Sequence, residues 1–147
     1  MEIIELHSLT EGQMDDLRQL MRELNPVIMV SDEMLENVDN APGTHLFAAL
    51  DSGHIIGCAS LCVFDSPTGR KASVEDVVVL SSYRGKHIGK DLMEYLIDYA
   101  RNNLGTVDLH LTSRPVRVAA NGLYRALGFR QKETNVYILK IKDSSRL

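Results

Sequence analysis

The sequence is poor in the features that mark several large classes of protein. Its only cysteines, Cys58 and Cys62, lie four apart in one apolar stretch and cannot build a disulfide framework. No Cys/His spacing resembles a zinc site, and no metal is expected. No apolar run approaches the roughly 18 residues that a membrane span needs. The opening residues, MEIIELHSLTEGQMDD, carry acids where a secretory signal carries bases, and they lack a long apolar core. Positive charge is not in excess: 16 Lys and Arg face 20 Asp and Glu, a net charge of −4. A nucleic-acid-binding domain normally shows the opposite balance. Internal repeats and Pro/Gly/Ser linkers are also missing. These absences lead to the expectation of an unprocessed, cytoplasmic protein with reduced thiols and no nucleic-acid or membrane partner. Mild acidity suits a cationic small substrate, and it suits simple solubility equally well.

What is present is the composition of one globular domain spanning residues 1–147, with 44% hydrophobic and 24% charged residues. A chain of this length buries about 68–70% of its unfolded surface, enough to hold a core without staples. Residues 2–7 read as a strand. Thr10 is placed to cap a helix whose Leu17, Leu20, Met21 and Leu24 form a core-facing stripe, stopped by Pro26. Ser31 is placed to cap a second helix, SDEMLENVDN. HLFAAL (45–50), the turn Asp51–Ser52–Gly53 and the apolar run 54–64 read as a hairpin. KASVEDVVVL (71–80) reads as a buried central strand. A helix is expected from about Lys86 to Asn102, a strand over 107–112, and a helix from Pro115 to Leu127 ending at Gly128. One or two strands are expected between Arg130 and Ile141. The order predicts a mixed sheet with helices on its faces.

The sharpest motif is the junction VVVLSSYRGKHIGK (77–90), in which a buried strand ends, glycines and bases follow, and a helix begins. A helix N-terminus offers unpaired N–H groups and partial positive charge, which suit a phosphate. Gly85 and Gly89 remove side chains where an anion must approach the backbone, and Arg84, Lys86 and Lys90 add charge. An ordinary helix start with solvated bases gives the same pattern. A Walker A loop fails on spacing and on Asp91 in the hydroxyl position, and a G-x-G-x-x-G fingerprint is absent. His87-Ile88-Gly89 echoes the H-x-G-H signature of nucleotidylyl transferases only in part, with Lys90 in place of the second histidine.

Residues Arg84-Gly85-Lys86-His87-Ile88-Gly89 resemble the Q/R-x-x-G-x-G/A pyrophosphate loop of the GNAT superfamily of acetyl-CoA-dependent N-acetyltransferases, with His87 in place of the middle glycine. Ala120-Asn121-Gly122-Leu123-Tyr124 through Gly128-Phe129 is similar to that family's A-x-x-L-Y-x-x-x-G-F helix and turn. Arg117 stands where the family's usual asparagine precedes the tyrosine by seven, and Asn121 is a partial substitute. The resemblance implies an α/β fold with α+β character: a twisted mixed sheet of about six or seven strands, about four flanking helices, and a splayed strand pair that binds CoA.

It further implies acetyl-CoA as co-substrate. The pantetheine arm would lie on backbone groups of Val77, Val78 and Val79, and the pyrophosphate on amides from Gly85 to Lys90, including His87 and Ile88. An alkyl ammonium must lose a proton before it can attack, so a base is needed. Glu75 is the favoured base. Asp76, His110 and a water chain are alternatives, as is a purely structural pairing of these acids with Arg70 or Lys71. On a regular strand Glu75 and Asp76 point to opposite faces. Tyr124 is the expected general acid for the leaving thiolate. A covalent route through Cys58 or Cys62 is disfavoured, because apolar surroundings raise a thiol's pKa. His7, His45 and His54 read as surface residues and Tyr83 as a loop anchor. Tyr137 is a candidate lining residue of an acceptor pocket or an edge-strand packing residue. The expected acceptor is a small primary amine, with a protein α-amine or lysine second. A non-catalytic CoA-binding sensor is the competing class, and a homodimer is the expected assembly.

Overall fold

The computed structural model describes residues 1–143. The chain forms two compact units, divided between Ser113 and Arg114. The first unit holds β1 (Glu2–Glu5), α1 (Glu11–Leu24), α2 (Asp32–Asn40), β2 (Thr44–Asp51), β3 (His54–Ser66), β4 (Gly69–Val79), a 3₁₀ turn (Ser81–Tyr83), α3 (Ile88–Asn103) and β5 (Leu109–His110). The strands form one sheet in the order β1-β2-β3-β4-β5, antiparallel throughout except for the parallel β4–β5 pair.

Local signals start each helix. Thr10 accepts from the Gln13 amide while the Gln13 side chain accepts from the Thr10 amide, a reciprocal capping box. Ser31 caps α2 through the Met34 amide at 3.2 Å. Arg18 fastens the two helices: it pairs with Asp15 and Asp32, and its Nε donates to the Val30 carbonyl at 3.0 Å.

The sheet is covered on both faces. Leu17 and Leu20 of α1 and Leu35 of α2 pack with Leu6, Leu46, Ala48, Ile55, Cys58 and Val78. The alternate residues of the same strands, including Phe47, are fully buried on the other side, where Phe47 meets the rings of Tyr95 and Tyr99 of α3 at centroid distances of 5.4 and 5.3 Å. The apolar run of β2 is therefore continuous because both of its faces are inside.

The second unit contains α4 (Val118–Ala126), after which Gly128 turns the chain at φ 99°. The strands expected between Arg130 and Ile141 are not formed: residues 129–143 have no regular structure, and Tyr137 is 87% exposed rather than lining a pocket or packing on an edge. Among the described residues the sheet thus has five strands instead of six or seven. Strand-forming composition is not sufficient, since a strand exists only through a hydrogen-bonded neighbour. His45 is also not a surface residue. It is half-buried, with Nδ1 2.9 Å from Glu5 Oε2 and its ring 4.8 Å from that of Tyr99.

Candidate active site

The site in the first unit begins with a parting of strands. The ladder between β4 and β5 consists of Ala72↔Leu109 and Ser73↔His110. Beyond Ser73, β4 continues to Val79 with β3 as its partner, Val78 opposite Cys58 and Val79 opposite Gly57. Val77, Val78 and Val79 therefore have a strand neighbour on one edge only, and their other edge offers unpaired backbone groups to an extended ligand.

A bulge sits just before the valines. The register slips between Cys58 and Ser60, so that Ser60 faces Glu75 while Cys58 faces Val78. Asp76 absorbs the extra residue with φ 50°, a left-handed conformation that aspartate tolerates better than most side chains. Regular alternation would place Glu75 and Asp76 on opposite faces. At the bulge both are exposed, and they sense each other. Desolvation of its carboxyl, then repulsion from Glu75, raises the pKa of Asp76. Glu75 accepts a 2.6 Å hydrogen bond from the Ser73 hydroxyl, two residues away on the same strand face. His110, paired with Ser73 across the parallel ladder, stands beside this group.

The pairing of these acids with Arg70 or Lys71 is not made. Arg70 is held by Asp65 at 3.2 Å, and Lys71 donates to Ser66 and Thr68.

The loop after β4 is braced from two sides. Tyr83 donates from its phenol to Asp51 at 2.6 Å, which anchors the loop to the β2–β3 turn. Ser81 donates to Glu23 of α1 at 3.0 Å, and Arg84 reaches the same carboxylate at 3.5 Å. Lys86 lies 5.1 Å from the center of the Tyr83 ring. Gly85 at φ 79° and His87 at φ 63° then turn the chain into α3. Histidine is among the non-glycine residues that adopt this conformation most readily, so His87 is accommodated where the motif would have glycine. No side chain caps α3, so the amides at its start remain available to an anion. Lys90 lies in the first turn and pairs with Glu94 at 3.8 Å.

In the second unit, Tyr124 is buried, with its ring 6.0 Å from that of Phe129. Burial raises the phenol's pKa, partly offset by the Arg117 charge, which keeps the hydroxyl protonated. The phenol makes no hydrogen bond among the described residues. Asn121 donates from its amide to the Arg114 carbonyl at 2.9 Å, tying down the turn before α4.

The cysteines are held as thiols. Burial pushes Cys58 up to about 12, and the Asp76 charge adds to the effect. Burial also raises Cys62, against a lowering hydrogen bond with Thr44 and with further raising by Glu75 and Asp76.

Sequence reasoning missed Ser73, Glu23 and Asp51. Ser73 carried a signal, being two residues from Glu75 on a strand. Glu23 and Asp51 reach the loop from elements distant in sequence, and no local pattern marks them.

The splayed strand and open helix start of the first unit, and separately the buried tyrosine of the second, lie within a family match. The model of the acetyltransferase (GNAT) family covers residues 11–129. The chain belongs to this family, whose members use acetyl-CoA and share the mixed α/β fold described above. Among characterised relatives, glucosamine 6-phosphate N-acetyltransferase of Trypanosoma brucei brucei is 31% identical over 138 residues, 88% of this chain and 91% of that protein. N-alpha-acetyltransferase RimI of Mycobacterium tuberculosis is 29% identical over 91 residues, 62% of this chain and 55% of that protein. An aminoglycoside acetyltransferase from an uncultured soil metagenomic sample, solved with sisomicin, superposes with a TM-score of 0.83 at 18% identity. That superposition covers 97% of this chain and 96% of the other.

Proposed function

We propose that the chain, working as one domain over residues 1–147, transfers an acetyl group from acetyl-CoA to a primary amine. The observation that carries this reading is the ending of the β4–β5 ladder at Ser73, which leaves Val77, Val78 and Val79 with one free edge, one short loop before an uncapped helix. An amide-bearing pantetheine arm suits that edge, and a pyrophosphate suits the amides from Gly85 to Lys90, with Arg84 and Lys86 alongside. Asn121, whose amide donates to the Arg114 carbonyl, is proposed as the partial substitute for the family's asparagine in cofactor binding.

Glu75 takes the proton from the incoming ammonium, oriented by the Ser73 hydroxyl. The freed amine nitrogen bonds to the thioester carbonyl carbon, the carbon–sulfur bond breaks, Tyr124 gives its proton to the departing sulfur, and the nitrogen loses its second proton to solvent, which in turn reprotonates the phenolate. Asp76 makes the neighbourhood more negative, which favours a cationic acceptor near Glu75. Neither thiol is suited to carry the acetyl group, because both are held protonated.

The proposed acceptor is a small amine. An amino sugar comes first, since the relative named for glucosamine 6-phosphate aligns over most of both chains. A protein α-amine or lysine is the second reading, favoured by the RimI relative, of which the match covers 55%. We further propose a cytoplasmic location and a homodimer. Among the described residues no helix is long and apolar enough to cross a membrane. Thiol release with acetyl-CoA against a panel of amino sugars, polyamines and peptides tests the proposal. Turnover with one amine class is expected. CoA binding without release for any amine identifies a sensor instead.

A further inference from the structure

A cavity of about 180 Å³ is lined by the end of β1, the last turn of α2 and the start of β2. At about 30 Å³ per water, it has room for a few heavy atoms of a ligand. Its polar lining includes Glu5, His7, Asp39, Thr44 and His45, and among the described residues no lysine or arginine lines it. The charge partners of Glu5 are imidazoles, with His45 Nδ1 at 2.9 Å and His7 Nε2 at 3.8 Å. Asp39 accepts from the Ser8 and Leu9 amides. The last turn of α2 holds no basic residue, so the negative end of its dipole is uncompensated here. Two carboxylates and a helix C-terminus around one hollow select a cation.

One face of the sheet connects this cavity to the acidic pair. Leu46, which also lines the cavity, opposes Ser60, and Ser60 opposes Glu75. Thr44 opposes Cys62, and Cys62 opposes Ser73. Directly opposed residues share a face, and Leu46 puts this one on the side of α1 and α2. The Cys62 thiol hydrogen-bonds with Thr44 and senses the Glu75 charge, so the row is continuous across three strands. Thr44, Ser60, Cys62 and Ser73 are small and half-buried, a polar floor that the helices leave partly uncovered. Two strand spacings separate Leu46 from Glu75, roughly 10 Å, and a third extends the span to roughly 15 Å at β1.

Resting on the acetyltransferase reading above, with Glu75 as the base, we infer that the cavity is a distal subsite for a second ammonium group of the acceptor. The acceptor class is then an amine with at least two positive charges. The nitrogen at Glu75 is acetylated, while another, roughly 10–15 Å away, sits beside Glu5 and the end of α2. Thr44, Cys62 and Ser73 offer hydrogen bonds to the chain or ring between them. Residues 1–113 hold 8 Lys and Arg against 18 Asp and Glu, a net of −10, which draws such a cation in. A linear polyamine and a multi-ring amino sugar both carry this chemistry.

The test compares acetylation rates of the whole chain on α,ω-diaminoalkanes, from the two-carbon to the twelve-carbon member, with those on monoamines of matching length. Per reactive nitrogen, kcat/KM should exceed that of the matching monoamine by about tenfold once the two nitrogens reach the required span, as one charge-assisted hydrogen bond implies. Glu5→Gln keeps the side-chain shape and removes the charge. In that variant the advantage of the long diamine should vanish through KM, with kcat held, and a cooperative melt shows that the variant is folded. Without acetyl-CoA, the long diamine should shift the His45 ring resonances and the monoamine should not. An aminoglycoside with several ammonium groups is compared with glucosamine in the same way. An advantage confined to the sugars assigns the subsite to a multi-ring amino sugar, and one confined to the alkanes assigns it to a linear polyamine. No advantage in either series, or one that survives Glu5→Gln, overturns the subsite and leaves the acetyltransferase reading standing. Failure to acetylate any amine overturns that reading and the subsite with it.

Discussion

At the scale of single residues, Tyr124 and Asp76 make the sharpest claims. Tyr124→Phe keeps the ring against Phe129 and removes one hydroxyl. Acetyl transfer in a single turnover should fall by about 10²–10⁴-fold, the usual contribution of a positioned acid, while acetyl-CoA affinity stays near that of the parent. An intact single-turnover rate would make Tyr124 a packing residue. Asp76 concerns stability. Its folded-state pKa lies above the ordinary 3.8, so the folded chain holds more protons between those two values. Stability therefore declines as pH rises through that window, and the penalty persists at neutral pH. Asp76→Asn keeps the left-handed backbone and removes the charge. It should raise the melting temperature at pH 7, by a margin that vanishes below about pH 3.8, once the parent carboxyl is protonated as well. Solvent screening keeps the effect small. An equal melting-temperature difference at pH 3 and pH 7 would remove the electrostatic cause.

Elements were legible where their signals are local. The Thr10 cap, the Ser31 cap and the stripe of α1 are written within a few residues, and each appears as read. The loop from Arg84 to Lys90 was legible as a motif, though α3 begins at Ile88 rather than near Lys86 because Gly85 and His87 are left-handed. The bulge at Asp76 was not legible, since it is a property of the β3–β4 register rather than of either strand. The tail failed for the same reason: TNVYILKI has strand composition, and composition carries no information about a partner. Long-range ties between elements are equally silent in sequence. Asp39 at the end of α2 accepts from the Ser8 and Leu9 amides at 2.8 and 2.9 Å, fixing the turn before α1. Asp39→Ala leaves both amides without that acceptor and should cost about 1–2 kcal/mol in urea denaturation. A change within error would mean that water replaces the carboxylate.

At the scale of the whole molecule, the donor site should be visible as stability. A ligand that binds only the folded chain contributes about 2.7 kcal/mol at a hundredfold excess over its Kd. For a chain of this size that corresponds to a rise of roughly 5–10 °C in Tm. Saturating acetyl-CoA should produce it. Arg84→Glu should reduce it, because a carboxylate would then flank the amides proposed to hold the pyrophosphate. No shift with acetyl-CoA, alongside a shift with ATP or NAD, would reassign the loop. The overall charge illustrates what a whole-chain sum hides: −4 reads as mild acidity, whereas residues 1–113 carry a net −10 and residues 114–147 a net +6.

The brace between Tyr83 and Asp51 makes the β2–β3 turn a mechanical reporter of the loop proposed to hold the donor. If that strut is rigid, an event at residues 84–90 should reach, along one phenol, a hairpin tip that carries Ser52 at φ 51° and Gly53 at φ 82°. Acetyl-CoA should therefore slow hydrogen–deuterium exchange at Asp51–His54 as well as in the loop. Tyr83→Phe should abolish that remote protection and leave the local protection in place. Protection at the hairpin that survives in Tyr83→Phe would show that the strut transmits nothing.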